Sequence, residues 1–245
     1  IYFAGSLHAF RKDQKEISWV LHEKYGGTAT DGFKKDVERL KRGEPVDYVI
    51  GWTEFLGCRI DLSLRPFIPR PETEYWTKQA IEDIRESGIK SVRCLDLFAG
   101  SGCIGIAILM HLSEVHVDFA ERNKNFCEQI QKNLELSNIN PSRYRIIRSN
   151  VFSRVSGEYD YILANPPYVP EKRKQRVQIS VLKWEPKETI FGGEDGLFYI
   201  QTIVSNAFQY LKKGGKLFME FDSPQKKDIG ALLEGVAFSR NSFFL

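Results

Sequence analysis

Apolar residues near the start of the chain recur at helical spacing. The first set, at positions i, i+3, i+4 and i+8, consists of Ile17, Val20, Leu21 and Tyr25. The second set, at spacings of four and three with charged residues between, consists of Phe33, Val37 and Leu40. The pattern predicts two amphipathic helices within residues 1–45, the first of them ending at Gly26 and Gly27. Two short helices bury little apolar surface alone, so we expect them to dock on a larger unit.

Between residues 46 and 64 the apolar period changes to two. Residues 46–50 and 58–62 alternate in this way on either side of Gly51 and Gly57, which predicts a β-hairpin. The prolines at 66, 69 and 71 then predict an extended connector, because each one also disfavours helix in the preceding residue. The chain therefore divides into residues 1–45, 46–72 and 73–245.

From residue 73 onward the pattern alternates between buried strands and helices. Strands are predicted over residues 92–98, 115–119, 144–147, 159–164 and 216–221. Helices are predicted over residues 104–112, 125–136, 200–211 and 229–233, with Gly214 and Gly215 after the third. Such alternation predicts an α/β fold with a mostly parallel, doubly wound sheet.

Composition narrows the class of protein. The 245 residues are 42% hydrophobic and 27% charged with a net charge of +3, which fits a folded globular chain. The longest apolar run, residues 97–110, contains three glycines and is too short to cross a bilayer. We therefore predict no membrane span. The four cysteines form no CxxC pair and the four histidines do not have the spacing of metal ligands, so we predict reduced structural thiols and no metal site.

The first predicted strand of the main domain ends in a glycine turn that leads into a helix. Gly100 and Gly102 allow a ligand to approach the backbone and leave free N–H groups at the helix start. Asp118 follows Asp96 by 22 residues, the spacing at which a carboxylate binds ribose hydroxyls in nucleotide sites. These features favour a nucleoside-type cofactor over a simple tight turn.

The fourth strand ends in the sequence Asn165-Pro166-Pro167-Tyr168. The prolines remove two N–H donors and leave carbonyl groups free to accept hydrogen bonds. Asn165 adds a side-chain carbonyl and Tyr168 a flat apolar face. A pocket of this kind suits a planar group that bears NH2, either an amide or a nucleobase amine.

This motif, after a glycine-turn strand, resembles the class I S-adenosylmethionine-dependent methyltransferases that methylate planar nitrogens. Residues 43–51 and 67–74 further resemble the GEPxxYIxG and IPRPxTE segments of the HemK/PrmC-type N5-glutamine methyltransferases. The resemblance runs from about residue 12 to about residue 235 and includes Glu185-Pro186 and residues 195–197. It implies a class I, Rossmann-like sheet with a small N-terminal helical domain, residues 1–45, that recognises the substrate protein.

The resemblance also implies the residues of the site. The cofactor S-adenosyl-L-methionine is expected to contact Phe98, Ala99, Gly100, Ser101, Gly102, Asp118, Asn150, Val151 and Asn165. Catalysis and substrate binding are expected from Asn165, Pro166, Pro167 and Tyr168, with Phe67 as a wall of the pocket. Three features depart from the family pattern. Phe98 replaces a glycine, Asn150 replaces an aspartate, and the sequence ends where the family has a C-terminal strand pair, which implies that further chain precedes and follows it.

The family's reaction is methylation of the GGQ-loop glutamine in class I peptide chain release factors, which implies a location in the bacterial cytoplasm or in mitochondria. Two alternatives remain: an adenine-N6 methyltransferase acting on DNA or RNA, and a cofactor-binding protein that has lost catalysis. The sequence shows no separate target-recognition domain, so we expect no stable binding to nucleic acid. The basic residues that follow the motif are either a solvated loop or a contact with an acidic partner; they are Lys172, Arg173, Lys174, Arg176 and Lys183.

Overall fold

The computed structural model describes residues 14–235. These begin with helix α1 (residues 14–25), which contains a π-helical turn at Val20–Lys24, and helix α2 (Asp31–Lys41). Thr30 caps α2 by accepting a hydrogen bond from the Phe33 N–H at 3.2 Å. The two helices predicted from the apolar spacing are thus confirmed. The part of that prediction that falls on residues 1–13 lies outside the described residues.

A short helix, α3 (Val46–Ile50), stands where the first strand of the hairpin is predicted, so that strand assignment is wrong. Pro45 starts the helix with a φ of −54°, and Gly51 ends it with a φ of 97°. The hairpin forms directly after it, from β1 (Trp52–Phe55) and β2 (Cys58–Asp61) paired antiparallel. An alternating apolar pattern of only five residues also fits one buried helical turn.

The extended proline connector leads into α4 (Pro71–Glu86), a helix that the sequence analysis did not identify. The remaining strands are β3 (Val92–Leu97), β4 (Val115–Glu121), β5 (Tyr144–Arg148), β6 (Tyr159–Ala164) and β7 (Leu211–Met219). The remaining helices are α5 (Cys103–His111), α6 (Lys124–Leu136), α7 (Ile179–Trp184), α8 (Phe198–Asn206) and α9 (Lys226–Glu234).

The five strands β3–β7 form one parallel sheet in the order β5-β4-β3-β6-β7, which confirms the predicted doubly wound α/β fold. Side chains alternate between its faces: Cys94 belongs to an apolar cluster with residues of α4, α5, α6 and the hairpin, whereas Leu95 belongs to a second cluster that includes Ile203 of α8. The strand order reverses between β3 and β6. Ligands of such sheets bind at the carboxyl ends of the strands beside this point.

Strand β7 begins earlier than predicted. Leu211 pairs with Tyr159, and Lys216 pairs with Tyr161, so Gly214 and Gly215 lie in an irregular part of the strand. The prediction that these glycines end a helix reaching residue 211 is therefore wrong. Helix α8 ends at Asn206, because the chain must turn there to enter the sheet.

Within residues 14–235, no helix combines the length and apolar character needed to cross a bilayer. The same residues contain no group of three or more His, Cys, Asp or Glu side chains placed to hold a metal ion. The four cysteines are unpaired, and three of them are buried.

Candidate active site

A cavity of about 310 Å³ lies at the carboxyl edge of the sheet, beside the reversal of strand order. Its volume is typical of a small-molecule site. The predicted site residues that line it are Phe67, Phe98, Ala99, Gly100, Ser101, Asn150, Val151, Asn165, Pro166, Pro167 and Tyr168. The structure thus brings together segments that are far apart in sequence. Gly102 and Asp118 are outside this lining.

The turn after β3 connects that strand to α5. Phe98, Gly100 and Gly102 adopt positive φ angles of 58°, 55° and 80°. A hydrogen bond of 2.7 Å from the Gly102 N–H to the Ala99 carbonyl closes the turn. Gly102 is the N-cap of α5, and a Cβ atom there would meet the side chains of Ile106 and Ile130 at 3.2–3.3 Å.

Phe98 keeps the left-handed backbone that a glycine would adopt at this position. Such a conformation costs a residue with a side chain about 1–2 kcal/mol. Its ring packs edge-on against Tyr199, with centroids 5.2 Å apart, and both rings line the cavity. The departure from the family glycine therefore leaves the turn left-handed and adds an aromatic wall.

Asp118 lies in the middle of β4 and is fully buried. Its carboxylate accepts hydrogen bonds from the Tyr159 hydroxyl at 2.6 Å and from Arg145 at 2.8 Å, and it pairs with Arg93. Burial alone raises the pKa of a carboxyl group, but the hydrogen bonds from Arg145 and Tyr159 hold the pKa of Asp118 below its ordinary value. The prediction that Asp118 lies at the cofactor site is wrong, because its oxygens are used inside the fold.

Glu121 is the last residue of β4 and lines the cavity. Its carboxylate accepts hydrogen bonds from the backbone N–H groups of Gly100 at 2.9 Å and Asn123 at 2.7 Å. Burial raises its pKa above the ordinary value. The sequence pattern does not identify Glu121 as a site residue, because the strand predicted over residues 115–119 stops two residues short of the sheet edge.

Asn150 and Val151 follow β5 and reach the same cavity. The Ser149 N–H donates to the Glu121 carbonyl at 2.9 Å, which ties this segment to the end of β4. The Ser149 hydroxyl donates to the Val151 carbonyl at 2.7 Å, and Val151 adopts a φ of 50°. This tight turn places Asn150 and Val151 at the cavity, which the motif at the end of β6 also lines.

Asn165 follows β6 and is held by its side-chain nitrogen. Its Nδ2 donates to Thr73 Oγ1 at 3.1 Å and to Glu220 Oε2 at 3.0 Å. Glu220 directly follows β7, and it also accepts from Trp76 Nε1 at 2.8 Å and, through Oε1, from the Tyr168 hydroxyl at 2.9 Å. Sequence reasoning missed Glu220, because the strand predicted over residues 216–221 includes it and so conceals its place at the sheet edge.

These contacts decide what the motif presents to the cavity. A carboxylate only accepts hydrogen bonds, so the NH2 group of Asn165 faces Glu220 and its Oδ1 points elsewhere. Within residues 14–235, no donor is bonded to that oxygen or to the Pro166 carbonyl. Burial, together with the charge of Glu220, raises the pKa of Tyr168, which keeps its hydroxyl protonated as a donor.

The backbone of the motif packs tightly against the loop over residues 192–196. A Cβ atom on Gly192 would lie 2.3 Å from the Pro167 carbonyl oxygen, and one on Gly196 would lie 2.2 Å from that of Tyr168. Gln225 Nε2 donates to the same Tyr168 oxygen at 3.0 Å. The loop therefore needs glycine at both positions to hold the motif in place.

The connector supplies the wall formed by Phe67. The Arg70 guanidinium lies 4.5 Å from the centroid of the Phe67 ring and pairs with the buried carboxylate of Glu185. Glu185 also accepts a hydrogen bond from the Ile68 N–H at 3.2 Å. Two segments quoted for the family resemblance, 67–74 and 185–186, are thus in direct contact.

The predicted basic segment lies at the rim of the cavity, where Val177 and Val181 contribute to the lining. Arg173 pairs with Asp222 at 3.1 Å, and Lys183 donates to the Arg42 carbonyl at 3.2 Å. The segment's other three basic residues are exposed.

Comparison with known proteins identifies the family. The model of the methyltransferase small domain matches residues 77–183. The release factor glutamine methyltransferase of Thermodesulfovibrio yellowstonii is 32% identical over 82% of this chain and 73% of its own length. That of Agrobacterium fabrum is 31% identical over 83% and 71%. The chain belongs to the release factor glutamine methyltransferase family. The Lactococcus lactis subsp. lactis member, 28% identical, covers 94% of the chain and 82% of its own length, and none of these relatives favours the adenine-N6 alternative.

Solved structures agree with the fold of this family. A methyltransferase from Pyrococcus furiosus aligns with a TM-score of 0.54 and 18% identity over 75% of this chain and 80% of its own. The ribosomal protein L11 methylase of Lactobacillus delbrueckii subsp. bulgaricus aligns with a TM-score of 0.52 and 15% identity over 75% and 79%. At these identities the likeness concerns the fold alone.

Proposed function

We propose that this protein transfers a methyl group from S-adenosyl-L-methionine to the side-chain amide nitrogen, N5, of the GGQ-loop glutamine in class I peptide chain release factors. Family membership supports both the reaction and the substrate. The observation that carries the proposal concerns two residues of the cavity wall: within the described range, 14–235, no donor is bonded to Asn165 Oδ1 or to the Pro166 carbonyl. A primary amide nitrogen carries two N–H donors, which match this pair.

The cavity residues fit the cofactor. Glu121, at the end of β4, is suited to accept from the ribose hydroxyls, because its carboxylate lies beside the turn at Gly100. The side-chain oxygen of Asn150 is suited to accept from the adenine amino group, with Val151 against the ring. Asp96 Oδ1, buried near this turn, has no hydrogen-bond partner within residues 14–235. When bound, S-adenosyl-L-methionine supplies an electrophilic methyl group.

An amide nitrogen is a weak nucleophile, because its lone pair is delocalised into the carbonyl. By accepting its two N–H groups, Asn165 and Pro166 orient the lone pair towards the methyl group and increase its electron density. The carbon–nitrogen bond would form as the bond between the methyl carbon and sulfur breaks and the neutral thioether leaves. The proton lost from the nitrogen would pass to solvent, so no side chain is required as a general base. Positioning and exclusion of water supply the rest of the catalysis.

The walls of the cavity suit the change in charge during this reaction. An apolar, aromatic environment would favour the dispersed charge of methyl transfer over the concentrated charge of a sulfonium group. Phe67, Tyr168 and Phe98 provide such walls. Their rings also exclude water, which would otherwise compete for the acceptors.

The proposed division of the chain follows from these roles. Residues 73–245 form the methyltransferase domain, residues 46–72 the connector, and residues 1–45 the part that recognises the release factor. Release factors act in translation termination, which places the reaction in the cytoplasm of a bacterium or in a mitochondrion.

The proposal is tested by incubating the protein with methyl-labelled S-adenosyl-L-methionine and either a class I release factor or adenine-containing DNA. We expect one methyl group on the peptide that carries the loop glutamine, located by mass spectrometry. A release factor whose loop glutamine is replaced by alanine serves as the control and should remain unlabelled. Label on the DNA and none on the release factor would overturn the proposal.

A further inference from the structure

Glu220 joins three separate parts of the active site. Its carboxylate receives four hydrogen bonds: from Thr73 at 2.7 Å and Trp76 at 2.8 Å on α4, and from Asn165 at 3.0 Å and Tyr168 at 2.9 Å after β6. It is absent from the cavity lining, so it acts on a bound substrate only through these neighbours. Hydrogen bonds to a charged acceptor are about twice as strong as neutral ones.

The Asn165 amide has two possible orientations that differ by a half-turn, and only one of them is useful. In the observed one, Nδ2 faces Glu220 and Thr73, and Oδ1 remains available to a substrate. In the other, Oδ1 would face the carboxylate and a hydroxyl whose hydrogen is already donated to Glu220. Oδ1 would then face two other acceptors with no hydrogen between them, an arrangement that polar groups shielded from water avoid.

We propose that Glu220 is the positioning residue that sets the orientation of the Asn165 amide for methyl transfer. The inference rests on the proposed function. A negative charge behind the Asn165 NH2 group also polarises that amide, which makes Oδ1 a stronger acceptor for the substrate N–H. Glu220 therefore contributes to the orientation and electron density of the reacting nitrogen without touching it.

The main test is Glu220→Gln, which keeps the size of the side chain but introduces an NH2 group that can donate. The amide of Asn165 can then turn its oxygen towards residue 220, away from the substrate. We expect kcat on a class I release factor to fall at least about tenfold. The KM for the release factor and the calorimetric affinity for S-adenosyl-L-methionine should change little, because both depend on contacts elsewhere.

Glu72→Gln is the matched control. Glu72 is exposed, adjacent to Thr73 in sequence, and makes no hydrogen bond to Asn165. It removes a nearby negative charge without altering the orientation of Asn165, so it should leave kcat close to that of the unmodified protein. If both variants lose the same factor, the effect is that of net charge and the inference is overturned.

A double-mutant cycle separates positioning from general support of the fold. In an Asn165→Ala background, Glu220→Gln should cause little further loss of kcat, because the amide that it orients is gone. An equal loss in both backgrounds, or unchanged kcat in the single variant, would overturn the inference. Should Glu220→Gln fail to fold, Thr73→Val removes the second acceptor of Asn165 and must show the same non-additivity. Absence of methylation by the unmodified protein would instead reject the proposed function.

Discussion

Two carboxylates on β4, Glu121 and Asp118, have different surroundings. Glu121 lines the cavity beside Gly100, whereas Asp118 is enclosed by Tyr159 and Arg145. We expect Glu121→Gln to weaken the binding of S-adenosyl-L-methionine at least about tenfold, because a hydrogen bond to a charged acceptor contributes roughly 1.5–3 kcal/mol. Isothermal titration calorimetry measures this change.

Asp118→Asn is the companion variant. It should lower the free energy of unfolding by about 2 kcal/mol while the folded protein still binds the cofactor, since its partners belong to the fold. Urea denaturation and calorimetry together distinguish the two positions. Loss of affinity in Asp118→Asn with none in Glu121→Gln would show that the cofactor carboxylate has been misassigned.

The buried carboxyl group of Asp96 should make the free energy of unfolding depend on pH. It is fully buried, and burial raises its pKa to about 7, despite a hydrogen bond of 3.0 Å from the Gly105 N–H. In the unfolded chain its pKa returns to about 4. Between these values the folded protein holds a proton that the unfolded chain has lost. The free energy of unfolding therefore falls as pH rises, by up to about 1.4 kcal/mol per pH unit.

Asp96→Asn removes this titration while keeping an oxygen for Gly105. Urea denaturation from pH 4 to pH 8 measures the free energy of unfolding of both proteins. As pH rises to about 7, the asparagine variant should gain stability relative to the unmodified protein; above pH 7 the difference should stay constant. Parallel pH curves would mean that Asp96 carries the same charge in the folded and unfolded states.

Sequence reasoning located the motif at Asn165 and the turn at Gly100 but missed Glu121 and Glu220. Glycine and proline have conformations of their own, so their spacing identifies a turn directly. The last residue of a strand depends on how far the neighbouring strands continue the backbone hydrogen bonds. The local sequence pattern does not encode that distance. Both missed carboxylates lie at such ends, and the error at β4 also led to Asp118.

At the scale of elements, the alternation of strands and helices was sufficient to predict the parallel sheet. It failed at α3, where five residues fit either a strand or one helical turn, and at Gly214 and Gly215 inside β7. It also gave no indication that the hairpin packs on α6. That contact joins residues about 70 positions apart through buried polar side chains, whose partners a sequence does not reveal.

Asn133 on α6 forms hydrogen bonds that attach the hairpin to this helix. Fully buried, its side chain accepts from the Asp61 N–H at 2.8 Å and donates to the carbonyls of Asp61 at 3.1 Å and Ser101 at 2.9 Å. At about 1 kcal/mol per hydrogen bond, Asn133→Ala should lower the free energy of unfolding by about 3 kcal/mol. It should also weaken cofactor binding, because Ser101 belongs to the turn after β3.

Asn125→Ala on the same helix is the control, because this side chain is exposed. Its effect on the free energy of unfolding should stay within about 0.5 kcal/mol. Chemical denaturation compares the two variants. Equal effects would mean that the polar contacts of Asn133 do not stabilise the docked hairpin.

At the scale of the whole molecule, the N-terminal helices contact α3 and the connector. Helices α1 and α2 pack on each other and on α3. Arg39 on α2 forms two hydrogen bonds to the buried carboxylate of Glu44, at 2.9 and 2.6 Å, and Arg65 of the connector pairs with the same group. The buried carboxylate of Glu44 thus links helix α2 to the connector.

We expect deletion of residues 1–42 to spare cofactor binding and to impair use of the release factor. The deletion removes Arg39, so it is best combined with Glu44→Gln, which prevents a buried carboxylate from losing a partner. If these residues bind the release factor, its KM should rise at least about tenfold, equivalent to about 1.4 kcal/mol of binding free energy. Calorimetric affinity for S-adenosyl-L-methionine should match that of a full-length Glu44→Gln control, because the cavity draws its lining from residue 67 onward. A parallel loss of cofactor affinity and release-factor methylation would instead mean that α1 and α2 stabilise the catalytic domain.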